Sequence, residues 1–240
     1  MPSTQSARLL KVALFPIIGF FQSSRPMYQK LALAVALCAA AGAFLVYQAA
    51  LPAPGTRPIP EGASGELLEG LRVSEPEFAV RYDRNDWNHW TDADGDGCNT
   101  RFEVLIEESV NPVQVEAGCF ITGGIWVSPF DGAVQTTPTD VDVDHLVPLA
   151  NAHRSGGWAW TDADREFFAN YLVDSNHLVA VTDEVNQEKG DSGPEKWRPS
   201  DRSSWCWYAE SWIDVKATWS LSVTHAERDA LAEMLETCTP

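Results

Sequence analysis

Apolar and charged positions alternate most clearly near the middle of the chain. The stretch VDVDHLV at 141–147 alternates valine with aspartate and then turns apolar, which predicts a strand that ends near Pro148. HLVAV at 177–181 is apolar almost throughout and predicts a second, buried strand. WVSPFDG at 126–132 predicts a short strand followed by a turn. The chain therefore contains a few short strands separated by stretches of a different pattern.

Helical spacing of apolar residues fills much of the sequence around these strands. TRFEVLIEESV at 100–110 places its large apolar residues on one face of a helix. Three further helices are predicted to begin after threonine N-caps, at Thr161, Thr182 and Thr224, and Glu227 completes a capping box with the last. The order is strand, helical insertion, strand and short helix, which predicts an α+β fold with additional flanking helices.

The N-terminal part has the pattern of an export signal. An uninterrupted apolar run at 31–47 follows Lys30 and is succeeded by small residues. We expect a cleaved signal peptide within residues 1–50, with a retained membrane anchor as the alternative, because the run is short for a spanning helix. A start at Met27 in place of Met1 would give a signal of ordinary length.

The rest of the chain is long enough for one folded domain. Residues 51–75 are rich in proline and glycine and are predicted to form a flexible linker, and residues 76–240 the domain itself. An apolar content of 45%, with ten tryptophans, supports a sizeable core.

The charge is strongly negative, at −17 for the whole chain. Four of the 17 basic residues lie in the first 50 positions, whereas all 34 acidic residues follow them. A field of this sign slows the approach of polyanions and excludes a tight, non-specific nucleic-acid binder. It is compatible with a nuclease that uses a metal ion locally and needs only transient contact.

Cysteine usage agrees with export. Outside the leader there are four cysteines, an even number that suits an oxidising compartment. Proximity in sequence favours the pairs Cys98–Cys119 and Cys206–Cys238 among the three possible pairings. Zinc is the competing interpretation, but no CxxC spacing supports it.

The chemistry concentrates at Asp144 and His145. Histidine suits a general base near neutral pH, and a carboxylate with one amide oxygen suffices to bind Mg²⁺. Asn186, on the short helix after the second strand, can supply that oxygen. Consecutive strand residues point to opposite faces, so Asp144 and His145 can address one site only if the strand ends or bulges there, as nearby Pro148 predicts.

In order, DVDHLVPL, DSNHLVAVTDEV and NQEKGD resemble the HNH (ββα-metal, His-Me finger) endonucleases. The resemblance implies a ββα-metal core with a helical insertion, Asp144 as metal ligand and His145 as general base. It implies that Asn176 braces the loop that orients the base and that Asn186 is the final ligand. The likeness extends over about 95–220 to exported HNH proteins of actinobacteria.

The final ligand departs from the usual histidine. An amide oxygen favours Mg²⁺ or Mn²⁺ over Zn²⁺ or Ni²⁺. Lys189 lies three residues after Asn186 and is interpreted either as a phosphate contact or as a solvated helix-end lysine. Arg101 has two interpretations as well, a phosphate contact or a structural anchor near the site.

The acidic stretch DADGDGCNTRFE at 92–103 has a separate candidate chemistry. Asp92, Asp94, Asp96 and Glu103 have the spacing of a calcium loop of the EF-hand type. No clear helix precedes the stretch, so structural Ca²⁺ and a plain acidic turn both remain open.

Together these patterns predict a secreted or surface-anchored, metal-dependent HNH endonuclease. Its substrate would be nucleic acid, with DNA expected and RNA as a further substrate. It would need no organic cofactor. The alternative is a non-catalytic secreted binding module on the same fold, held by calcium and disulfides.

Overall fold

The computed structural model describes residues 57–238. The predicted export signal or anchor in residues 1–50, and the choice between Met1 and Met27, lie outside this part. Within it, no helix is both long and apolar enough to cross a membrane.

The described chain mixes helices with very short strands, which confirms the α+β class. The helices are α1 Ala63–Gly70, α2 Thr100–Glu107, α3 Leu149–Arg154, α4 Asp162–Ala169, α5 Asp183–Lys189, α6 Trp205–Thr218 and α7 His225–Leu235. The strands are β1 Gln114–Glu116, β2 Phe120–Thr122, β3 Trp126–Val127, β4 Val134–Gln135, β5 Val141–His145 and β6 Leu178–Thr182. They form three antiparallel pairs, β1–β2, β3–β4 and β5–β6. The β1–β2 hairpin was not predicted from the sequence.

The β5–β6 pair separates two hydrophobic cores. Asp144 lies opposite Val179 and His145 opposite Leu178 in a regular register. One face, with Val143 and Leu178, packs against α2, whereas Val179 on the other face belongs to the larger core. Because the pairing is regular to the end of β5, Asp144 and His145 start from opposite faces.

Helix α5 follows β6 directly and packs on both strands of this pair. Two strands and a helix therefore come together although a helical insertion of about thirty residues separates the strands in sequence. The insertion contains α3 and α4, and α4 begins after Thr161 as predicted.

Two of the three predicted threonine caps and both disulfides are present, whereas the Thr182 hydroxyl before α5 donates to Asp131 and caps no helix N–H. Capping boxes at Thr161 with Asp164 and at Thr224 with Glu227 begin α4 and α7. Both predicted disulfides, Cys98–Cys119 and Cys206–Cys238, are present. The second closes the α6–α7 hairpin.

Residues 63–70 differ from the expected flexible linker. They form α1, which packs against α6 and α7. Leu68 is fully buried, and Leu71 lies in the same core. The reason is the pair of leucines at the end of the helix: Leu68 lies in its last turn and Leu71 directly follows it, so both side chains reach the core from an otherwise turn-rich stretch.

Candidate active site

A cavity of about 270 Å³ opens at the end of β5. Its walls come from the segment before α2, the β5–α3 junction and α5, and are formed by Tyr82, Arg84, Val143, Asp144, His145, Pro148, Leu149, Ala150, Asn186, Gly190 and Asp191. Asp144, His145 and Asn186 therefore line one space. The end of the strand at His145 allows neighbours from opposite faces to do so.

His145 is held by its Nε2 atom, which lies 2.9 Å from the carbonyl oxygen of Ala169. A carbonyl oxygen can only accept, so Nε2 carries the proton and Nδ1 keeps its lone pair. The indole of Trp90 stacks on the imidazole with 5.2 Å between ring centroids. Burial lowers the pKa of His145 well below its usual value, which keeps the ring neutral near pH 7.

Asp144 is buried and pairs with Lys189. The Nζ atom of Lys189 lies 3.0 Å from Oδ1, to which it donates a hydrogen bond, and 2.7 Å from Oδ2. Oδ2 is therefore in contact with the ammonium, and it is a buried atom with no hydrogen bond of its own. Burial raises the pKa of Asp144, and the Lys189 ammonium opposes the rise.

Asn186 points to the same strand from α5. Its Nδ2 donates to Oδ2 of Asp142 at 3.0 Å. This bond uses the amide nitrogen and leaves the amide oxygen as the group that could bind a cation. Burial is also the largest influence on Asp142 and raises the pKa of its carboxyl.

These donors fit a hard divalent cation. A buried carboxylate oxygen without a hydrogen bond and an amide oxygen on the same cavity are ligands that Mg²⁺ accepts, with water completing its shell. Asp144 and Asn186 are the residues that would hold it.

Lys189 is fully buried, so it is not the solvated helix-end lysine of one interpretation. Besides Asp144, its Nζ reaches the backbone oxygen of His145 at 3.2 Å. Burial lowers the pKa of its ammonium. Lys189 thus neutralises Asp144 and ties α5 to the end of β5, and its contacts here are to protein rather than to solvent.

Asn176 lies away from the cavity. Trp207 Nε1 donates to its Oδ1 at 2.8 Å, and its Nδ2 donates to Asp174 at 3.3 Å. These bonds tie the start of β6 to α6. Next to Asn176, the backbone N–H of Leu146 donates to the oxygen of His177 and joins the end of β5 to the start of β6, so the bracing role expected of Asn176 stays a prediction.

Arg101 is an anchor rather than a cavity residue. Its guanidinium donates to the backbone oxygen of Val141 at 2.7 Å and so joins α2 to the start of β5. The arginine that lines the cavity is Arg84, which the sequence analysis did not single out. Arg84 is exposed, interacts with the Tyr82 hydroxyl, and forms no ion pair within residues 57–238. No periodicity or motif marks it, because it lies in an irregular segment some sixty residues before Asp144.

The acidic loop is assembled in part as its spacing predicts. Carboxylate oxygens of Asp92, Asp94 and Asp96 lie within 4.8 Å of one another on the surface. The pKa of Glu103 is raised, first by burial and then by these three carboxylates, so Glu103 is close to the cluster. Whether the loop binds Ca²⁺ stays a prediction of the sequence.

The comparisons with known proteins cover most of this architecture. Residues 114–234 match the C-terminal domain of the GmrSD restriction endonucleases. The chain belongs to the GmrSD C-terminal domain family. A relative from Arthroderma benhamiae, named an uncharacterized secreted protein, is 48% identical over 192 residues, which cover 79% of this chain and 93% of the relative. No solved structure matches.

The GmrSD match includes β5, β6 and α5 with Asp144, His145 and Asn186. It does not include Arg84 or Trp90, which reach the site from the segment before it. Membership places the chain among restriction-endonuclease domains, a coarser result than the HNH type. The relative is fungal, so the likeness to actinobacterial proteins is not confirmed.

Proposed function

We propose that this GmrSD-family protein is an exported, metal-dependent endonuclease of the HNH type that hydrolyses phosphodiester bonds of DNA, with RNA as a second substrate class. His145 is the general base, and Asp144 and Asn186 hold one Mg²⁺ or Mn²⁺. The observation that carries the proposal is the shared cavity of these three side chains at the end of a strand pair followed by a helix. That order of elements supports the expectation of a ββα-metal core.

The base acts through its Nδ1 atom. Ala169 fixes the proton on Nε2, so Nδ1 can take a proton from a water molecule that attacks phosphorus. The lowered pKa of His145 supports this role because a protonated ring cannot accept that proton.

Positive charge at the scissile phosphate has two sources. A divalent cation held by Asp144 and Asn186 would supply Lewis acidity to the scissile phosphate. Arg84 is exposed on the cavity wall and has no carboxylate partner in residues 57–238. Its guanidinium can therefore bind a phosphate group through two parallel hydrogen bonds. This arrangement suits a protein whose overall charge disfavours tight polyanion binding.

Export is supported by the two disulfides and by the name of the fungal relative, which calls that protein secreted. Attachment to a membrane through residues 31–47 stays a prediction of the sequence.

One observation favours a second candidate, a non-catalytic binding module. The ion pair of Lys189 with Asp144 already neutralises the carboxylate that would bind metal. In such a module Lys189 would take the place of the cation permanently, and the fold would serve recognition alone.

The test is a divalent-ion series on supercoiled plasmid with the purified protein. We expect nicking with Mg²⁺ or Mn²⁺, none with EDTA, and a loss of about 10²–10⁴-fold for His145→Ala. His225→Ala, a change at an exposed histidine that begins α7, is the matched control and should cut like the wild type.

Two results would contradict the proposal. Cleavage by His145→Ala at the wild-type rate would remove the base. An intact plasmid with every divalent ion tested, from protein that melts cooperatively, would favour the binding module.

A further inference from the structure

Trp90 lies against the face of the proposed base. Its ring is stacked on His145 with an interplanar angle of 29°, and the indole also packs on the core around α2. Trp90 comes from the irregular segment before α2 and lies outside the stretch that matches the GmrSD family. The family match therefore assigns it no role.

The backbone of Trp90 has a conformation that a bulky residue rarely adopts. Its φ is +61°, in the left-handed region, where a Cβ atom is crowded. Such a residue is strained and persists only where its surroundings fix it. Trp90 is one of three non-glycine residues in the described chain with positive φ, and of these it alone contacts His145.

Asn170 fixes this turn from both sides. Its Nδ2 donates to the backbone oxygen of Asn88 at 2.7 Å, and its Oδ1 accepts from the backbone N–H of Thr91 at 2.9 Å. Its Oδ1 also accepts from the hydroxyl of Thr100 at the start of α2. One amide thus bridges the residues before and after Trp90, which holds the indole over the imidazole.

Ala169, the residue before Asn170, holds one edge of the same imidazole. The carbonyl oxygen of Ala169 accepts from His145 Nε2. A single hydrogen bond fixes one edge of the ring but leaves the ring able to tilt about the line from nitrogen to oxygen. A stacked aromatic plane removes that freedom, so Ala169 and Trp90 together define where Nδ1 points.

We propose that Trp90 is a positioning residue for His145 and is kept in place by Asn170. The end of α4 then fixes the imidazole twice: Ala169 binds its Nε2 edge, and Asn170 holds the indole that sets the plane of the ring. This inference rests on the proposed endonuclease function. It adds to it that the segment before the family match completes the active site.

The experiment separates positioning from folding with glycine. Glycine adopts φ near +60° without strain, so Trp90→Gly removes the ring while relieving the backbone. Trp90→Phe keeps an aromatic plane. The matched control is Ser220→Gly, which relieves a φ of +53° at the far end of α6 and leaves the cavity untouched.

For plasmid cleavage in Mg²⁺, we expect Trp90→Gly to lower kcat by about 10²-fold, the scale of a misplacement of about 1 Å, with KM changed less than about threefold. Trp90→Phe should recover most of kcat, and Ser220→Gly should match the wild type. In NMR spectra of the imidazole, the wild type and Trp90→Phe should show sharp ring signals from one orientation, with Nε2 protonated. Trp90→Gly should keep Nε2 protonated, because the bond to Ala169 remains, but its ring signals should broaden as the imidazole tilts.

Full kcat in a folded Trp90→Gly protein with an unchanged imidazole spectrum would overturn the inference. The spectrum needs no activity, which keeps the two proposals apart. If the wild type cut no nucleic acid but Trp90→Gly still released the imidazole, the endonuclease proposal would fail and the positioning of His145 would stand.

Discussion

Two lysines are fully buried in the described chain, and the regions around them differ. Lys216 donates to Asn151, Ser155 and the backbone oxygen of Ser222, and lies 3.1 Å from Glu227. Lys189 has Asp144 and one backbone oxygen, and its partner keeps an oxygen without a hydrogen bond.

Glu227 is as well satisfied as Lys216. It accepts from the indole N–H of Trp212 at 2.7 Å and caps α7 through Thr224. Since complete satisfaction is what a stabilising buried network requires, the Lys216 network is typical of a core. The Lys189 pair borders a cavity and has fewer partners, because Oδ2 of Asp144 has the ammonium 2.7 Å away and no hydrogen bond, which is typical of a site that takes a further ligand.

The largest expected effect is that of Asp144→Asn. The change removes the charged ligand and leaves the Lys189 ammonium buried without its counter-ion, so we expect cleavage to be lost and the free energy of unfolding to fall by about 3–5 kcal/mol. Urea denaturation and plasmid nicking measure the two. If Asp144→Asn kept both the cleavage rate and the stability of the wild type, the Lys189–Asp144 pair would be neither a ligand site nor a stabilising ion pair.

Lys216→Met should separate stability from activity. It leaves Glu227 buried without its cation, and we expect the free energy of unfolding to fall by about 3–5 kcal/mol while kcat of the folded protein is unchanged. Adding Glu227→Gln should recover part of the loss, because the unpaired charge is gone. A fall in kcat without a fall in stability would mean that the two lysine regions are coupled.

Glu108 extends the comparison to a buried carboxylate whose partner is a backbone amide. Its Oε2 accepts from the N–H of Ala180, and burial raises the pKa of Glu108 to about 7 from 4.5. The folded state therefore favours the neutral acid, and this stability is present below pH 4.5 and is lost as pH rises through 7.

Glu108→Gln keeps the acceptor without the charge. We expect it to match the wild type in stability below pH 4.5 and to exceed it by about 3 kcal/mol well above pH 7, at about 1.36 kcal/mol per pKa unit. Urea melts at the two pH values measure the difference. Glu184→Gln on the exposed side of α5 should show none. Equal stabilities at both pH values would place the carboxyl of Glu108 in water.

Local signals were predictable from the sequence and tertiary ones were not. Capping boxes at Thr161 and Thr224 depend on neighbours within one turn, so their chemistry is visible in the residues themselves. Alternation at 141–147 marked β5, and the paired segment 177–181 marked β6 within one residue.

The residues of the candidate site that lie on β5 and α5 were predictable from the sequence. Asp144, His145 and Asn186 share a cavity because a strand end and a short helix fix them. The burial of Lys189 depends on α5 facing β5, which helical spacing alone does not give. Trp90 comes from a turn whose path is set by Asn170, a residue some eighty positions away, and Arg84 comes from a single 3-10 turn earlier in the same segment.

Helix α1 has a practical consequence for where the domain begins. Leu68 and Leu71 fill part of the core between the two C-terminal helices, and Arg57 pairs with Glu236 at the end of α7. A shortened chain that started at residue 76 would leave this apolar groove bare to water. Such a fragment would aggregate or invite proteolysis, and its failure to cut DNA would say nothing about the chemistry at His145.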